Sequence, residues 1–141
     1  MQQDPLSDVL RSVRLRGAVF FYVGFPDEWV AEAPPARELA GIVMPGVEHL
    51  FEYHLMVKGD GWAATQGEAP VHLATGDIVM FPRGDAHVLS SAPGMLPRED
   101  RAEWMFATRH DPKPIAVTYH DGVLRPQAPA SVEEARNVVI C

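Results

Sequence analysis

A chain of 141 residues, 47% hydrophobic and 22% charged, has the make-up of one soluble globular domain with a core large enough to fold alone. Its formal net charge of −7 opposes the phosphate backbone, so this segment is not expected to grip nucleic acid by itself. No apolar run reaches the ~20 residues that span a bilayer, the start MQQDPLSDVLRS lacks a signal core, and Cys141 is the sole cysteine, so a cytoplasmic protein with no disulfide and no membrane partner is expected.

Asp4-Pro5-Leu6-Ser7 opens a helix whose apolar stripe is Leu6, Val9, Leu10 and Val13, at i, i+3, i+4 and i+7. Gly17 to Phe25 (GAVFFYVGF) then reads as a strand buried on both faces and stopped by Pro26. A short strand over Trp29–Glu32 precedes the break at Pro34-Pro35. From Leu39 the rhythm of turn signals predicts strands at 39–44, 49–58, 61–65, 70–74, 77–82 and 86–90, with Gly59-Asp60-Gly61 and Thr75-Gly76-Asp77 as turns. Residues 91–102 form a polar, proline-rich loop long enough to act as a lid. Strands are expected again at 103–108 and 114–119, then a helical turn over 130–134 and a last strand from Asn137 to Cys141. The sum is a mainly all-β single domain over 1–141, an antiparallel barrel with a short N-terminal helix.

One segment is more specific. GDIVMFPRGDAH spaces Gly76, Pro82, Gly84 and His87 as G-x5-P-x-G-x2-H. Gly76 turns the chain, Pro82 ends the strand because it cannot donate to the ladder, and Gly84 permits the return that brings His87 inward. This spacing resembles the second motif of the cupin superfamily, which implies a β-barrel of jelly-roll type. The first cupin motif, G-x5-H-x-H-x3–4-E-x6-G, is matched in its second half by Glu52 and Gly59. The places of its paired histidines fall on Gly46 and Glu48, or on Pro45 and Val47, and His49 is out of register with both.

A wider resemblance spans most of the chain. DPLSDVLRSVRLRGAVFF, YHLMVKGDGWA and LATGDIVMFPRGDAHVLS are similar to the cupin-type sensor domain at the N-terminus of AraC-type transcription regulators. The segment ELAGIVMPGVEHLFE departs from that pattern, and ARNVVIC resembles the point where such regulators continue toward their helix-turn-helix units. The resemblance implies a domain that binds a small-molecule effector inside the barrel and forms a homodimer. DNA would be contacted only through a C-terminal part that this sequence does not include.

Glu52 and His54 lie two apart on one strand and so share a face. If that face is inward, His87 meets them from a neighbouring strand, in a cavity lined by Phe21, Met56, Trp62 and Met80, with Phe106 as a further candidate. His87 then has three readings: a clasp that closes its turn, a ligand contact, or a metal ligand. Glu52, His54 and His87 are the candidate set for a divalent transition metal such as zinc, iron or nickel. With the paired histidines missing, no cofactor is expected. His72, His110 and His120 read as solvated, Trp29, Trp62 and Trp104 as core, and no nucleophile triad or phosphate loop is present. A non-enzymatic binding domain is therefore expected. The alternative is a stand-alone metal-dependent cupin enzyme of isomerase or dioxygenase type.

Overall fold

The computed structural model describes residues 19–97, 103–120, 122–127 and 134–141. The described elements run, in chain order, β1 (Phe21–Phe25), β2 (Val30–Ala33), α1 (Ala36–Val43), β3 (Glu52–Lys58), β4 (Gly61–Thr65), β5 (Val71–Leu73) and β6 (Ile78–Phe81). They continue with β7 (His87–Ser90), α2 (Glu103–Ala107), β8 (Ile115–His120), β9 (Val123–Pro126) and β10 (Asn137–Ile140). These strands form a six-stranded sheet, β6-β3-β10-β1-β8-β9, and a four-stranded sheet, β2-β7-β4-β5. The fold is mostly β with little helix, as the turn rhythm implies.

Alternation along the strands drives the two sheets together, because a strand with one apolar face must bury it against another layer. The shared core takes Val23 and Phe25 from β1, Met56 from β3, Leu89 from β7, Val117 from β8 and Val139 from β10. Trp29, at 0% exposure, fills the centre and stacks on Phe25 with ring centroids 4.0 Å apart. Such offset aromatic pairs contribute beyond their buried area by ~0.5–1.5 kcal/mol.

Four local expectations are corrected. Residues 39–44 are not a strand: Ala36–Val43 is helix α1, begun just after Pro34-Pro35 by the strong helix formers Ala, Arg, Glu and Leu. Residues 103–108 are likewise helical, as α2, closed by the Thr108 N–H donating to the Trp104 carbonyl at 2.9 Å. The expected strand at 49–58 begins only at Glu52, and β9 follows β8 where no strand was expected. The barrel is also not wholly antiparallel, since β1 and β8 pair in parallel, Val23 opposite Val117. The N-terminal helix expected over Leu6–Val13 and most of the turn at 130–134 lie outside the described residues.

The turn before β7 explains how the fold positions His87. Gly84 sits at φ +64°, and any Cβ there would collide with the Ala36 methyl and approach the Leu50 carbonyl oxygen at 3.0 Å. The Ala36 N–H donates to the Gly84 carbonyl at 2.8 Å. Only glycine fits so close a crossing, and the crossing locks α1 against the start of β7.

Candidate functional site

Along β3 the inward positions are Glu52, His54 and Met56, one face of an alternating strand. His54 is 5% exposed and Met56 1%. β3 lies in the six-stranded sheet, whereas His87 opens β7 in the four-stranded one. The two histidines therefore meet across the gap between the sheets, and their Nε2 atoms stand 2.5 Å apart.

Their proton positions follow from their neighbours. His87 Nδ1 lies 2.8 Å from the Asp85 carbonyl oxygen, which can only accept, so Nδ1 carries the proton. A neutral His87 then offers a bare Nε2, and His54 Nε2–H donates to it. That leaves His54 Nδ1 as an acceptor for the Cys141 thiol, whose Sγ is 2.8 Å away. Hydrogen bonds thus run in one direction from Cys141 through His54 and His87 to Asp85. The ring of Phe81 closes the other side of His87, stacked face to face.

Glu52 completes the cluster. Its Oε2 lies 3.6 Å from His87 Nε2, and its side chain is 10% exposed. Its Oε1 is buried with no hydrogen-bond partner. Burial raises the Glu52 carboxyl to about 7 from its ordinary 4.5. Burial, then the neighbouring His87, lowers His54 to about 3. Burial also lowers His87, against the opposing pull of the Asp85 carbonyl and carboxylate. The Cys141 thiol is pushed up by burial and by the Glu52 charge. Near neutral pH both histidines and the thiol are uncharged.

The donor chemistry of this cluster suits a metal. One nitrogen from each of His54 and His87 and a Glu52 oxygen lie within 4.8 Å of one another. The orphaned Glu52 oxygen is available, and the His87 tautomer already frees Nε2. Holding an ion requires His54 to move its proton to Nδ1. It also requires the rings to part, since two nitrogens each ~2.0–2.1 Å from one tetrahedral ion stand farther apart than 2.5 Å.

Beside the cluster lies a cavity of about 400 Å³ between the sheets. Phe21 and Val23 of β1, Leu39 and Val43 of α1, Val117 of β8 and Trp104 of α2 make its apolar walls. Glu52, His54 and Cys141 stand at one side, and the exposed His49 and Phe51 line it where it nears the surface.

The expected site residues divide between wall, core and surface. Glu52, His54 and His87 come together, but His87 reaches them from the opposite sheet and not from a neighbouring strand as expected, and it is not part of the cavity wall. Phe21 lines the cavity; Met56 is buried in the core outside it. Trp62 lies edge-on to His72, with ring centroids 5.1 Å apart, and takes no part in the cavity. Met80 is 54% exposed and Phe106 58%, the latter under the Arg109 guanidinium. The reason for Trp62 and Met80 is one step of register: Gly61 and Ala63 on β4, and Phe81 on β6, take the buried positions instead. Trp104, Leu39, Val43 and Cys141 were missed. Short-range patterns gave no sign that Cys141 packs beside a histidine 87 positions away.

A family model described as Cupin matches residues 4–135 of the chain. Among curated proteins and among solved structures, nothing matches it.

Proposed function

The chain belongs to the cupin family, and on that premise we propose that it is a small-molecule-binding module, the effector-sensing part of an AraC-type transcription regulator. The effector occupies the cavity of about 400 Å³ beside Glu52 and His54. That cavity carries the reading: its size falls within the ~300–1,000 Å³ of small-molecule sites, and its walls are apolar with a few polar groups at one side. The regulator assignment draws on the sequence stretches around Asp4–Phe21, Tyr53–Ala63 and Leu73–Ser90. In this reading the module acts as a cytoplasmic homodimer, and DNA is held by a part outside this sequence. Sensing requires that the effector bind one arrangement of the domain better than another.

The test is a thermal-shift screen of the purified chain against small metabolites, followed by calorimetry on the hits. A bound ligand raises the melting temperature by mass action. Saturable binding that is lost when Val117→Phe fills the cavity supports the reading. Binding untouched by Val117→Phe in a folded variant overturns the cavity as the site. An encoding gene that continues into helix-turn-helix units supports the regulator assignment, and one that stops at Cys141 removes it.

A second reading, a metal-dependent cupin enzyme, is favoured by the closeness of the Glu52, His54 and His87 donor atoms. Those residues would hold the ion, and the ion would supply Lewis-acid or redox chemistry to a molecule in the cavity. Binding of one transition metal per chain, abolished in His87→Ala, would favour this reading over the first.

A further inference from the structure

The walls of the cavity are unequally fastened. β1, β3 and β8 line it from the large sheet, and each has a neighbouring strand on both sides. Leu39, Val43, Met44 and Val47 line it from one continuous stretch, α1 and the strap that leads on to β3. Between Pro35 and Leu50, among the described residues, a single hydrogen bond reaches the rest of the chain. It runs from the Ala36 N–H to the Gly84 carbonyl.

Burial falls away from that bond. Ala36 and Leu39 are buried, Val43, Met44 and Val47 are half-buried, and Gly46, Glu48 and His49 are exposed. An eight-residue helix cannot hold itself in water and depends on what its apolar stripe covers. Here the stripe of Leu39 and Val43 covers the cavity and stands outside the core cluster. Stretches with so few buried contacts open locally, at lower free energy than the sheets around them. Gly46, at φ +85° with nothing within 4 Å of a would-be Cβ, leaves the strap room to bend.

We propose that α1 and residues 44–50 are the lid of the cavity, pivoting at the Ala36–Gly84 crossing so that the Val43–Val47 end swings out to admit a ligand. This rests on the cavity being the ligand site, as argued above, and adds how that site is entered and closed. The pivot is held by its hydrogen bond and by the Ala36 methyl, seated where Gly84 has no side chain.

Cys141 is a reporter that needs no identified ligand, since it lines the cavity, is held on His54 and is the sole cysteine. Alkylation of the full chain by N-ethylmaleimide, an uncharged reagent, is followed by mass. Hydrogen exchange of the β10 amides, in the middle of the large sheet, reads global opening beside it. The parent should be alkylated at least about tenfold faster than its globally unfolded fraction allows. Val43→Ala and Val47→Ala, which shave the swinging end, should each quicken alkylation about two- to tenfold, the range for two half-buried methyl groups. Val117→Ala removes the same atoms from the opposite wall; it should speed β10 exchange and leave alkylation unchanged. Alkylation no faster than global opening allows, or unchanged in both lid variants, overturns the lid. Equal quickening in Val117→Ala overturns it too, because the reagent then enters by general loosening. In each of those cases ligand binding that is lost in Val117→Phe still upholds the cavity, entered by another way.

Discussion

The imidazole of His87 lies flat on the ring of Phe81, with centroids 3.6 Å apart and planes 6° from parallel. With Nδ1 on the Asp85 carbonyl and Nε2 on His54, both faces of its role are structural: it ties the start of β7 to β6 and β3. His87→Ala empties a fully buried site and orphans His54 Nε2. A loss of about 2–4 kcal/mol in stability is expected, read from denaturant midpoints. Because His87 is not in the cavity wall, effector affinity should shift by less than about threefold, or ~0.7 kcal/mol, by calorimetry. A larger loss of affinity with unchanged stability would return His87 to the ligand contacts.

The cluster makes stability depend on pH in two opposed ways. His54 and His87 have lowered values, so the folded chain keeps them neutral while the unfolded chain protonates them near 6.5. Their contribution is present above about 6.5 and is lost as pH falls from there toward the folded value, about 3 for His54. Glu52 is raised to about 7, so its contribution is full below 4.5 and lost as pH rises through about 7. Two groups outweigh one on the acid side, and midpoints should fall between about pH 6.5 and 4. Glu52→Gln should gain stability over the parent as pH rises from about 4.5 to about 7 and hold that gain above it, since the amide cannot ionise. Equal pH profiles for the two proteins would refute the Glu52 assignment.

Gly84→Ala puts a methyl group into the Ala36 side chain at a backbone angle that side chains avoid. A destabilisation of about 1–3 kcal/mol or more is expected. Gly67, also at positive φ but with nothing within 4 Å of its would-be Cβ, supplies the control. Gly67→Ala should cost only the strain of the angle, roughly 1 kcal/mol. Thermal melts of the pair separate strain from collision.

Met80→Lys replaces an exposed side chain on the outer face of β6. Stability should change by no more than about 0.5 kcal/mol and effector affinity not at all. A drop in affinity would put Met80 back among the cavity residues, where one step of register would have it.

Chelation separates the two functional readings. If the cavity binds its ligand without an ion, dialysis against a strong chelator leaves ligand affinity within experimental error. If an ion on Glu52, His54 and His87 is needed, affinity falls and returns with added zinc or nickel.

Much of the fold was legible because glycine and proline mark turns by a local mechanism. The Gly76–His87 spacing carried the turn, the strand end and the histidine together, and β4, β6 and β7 lie within a residue or two of where alternation put them. The regions that misled are those where tertiary context decides. ARELAGIV and EWMFA are short apolar runs that periodicity cannot separate from strands, and both became helices lining the cavity. Pairing of Glu52 with His54 was readable from a spacing of two. The pairing of β1 with β8, and of Cys141 with His54, joins distant parts of the chain and leaves no mark in any window of residues.

β10 stands in the middle of the large sheet, between β1 and β3, with Tyr22 opposite Ile140 and Ile140 opposite Leu55. During synthesis on the ribosome, β1 and β3 emerge long before the strand that joins them. Until Asn137–Ile140 has been made, each presents an unpaired edge with buried-type side chains such as Val23 and Met56. Such long-range closure is slow compared with hairpin formation and leaves the half-made sheet open to pairing with other nascent chains. Yield on expression should therefore respond to chaperones and growth temperature more than the stability of the finished domain would suggest.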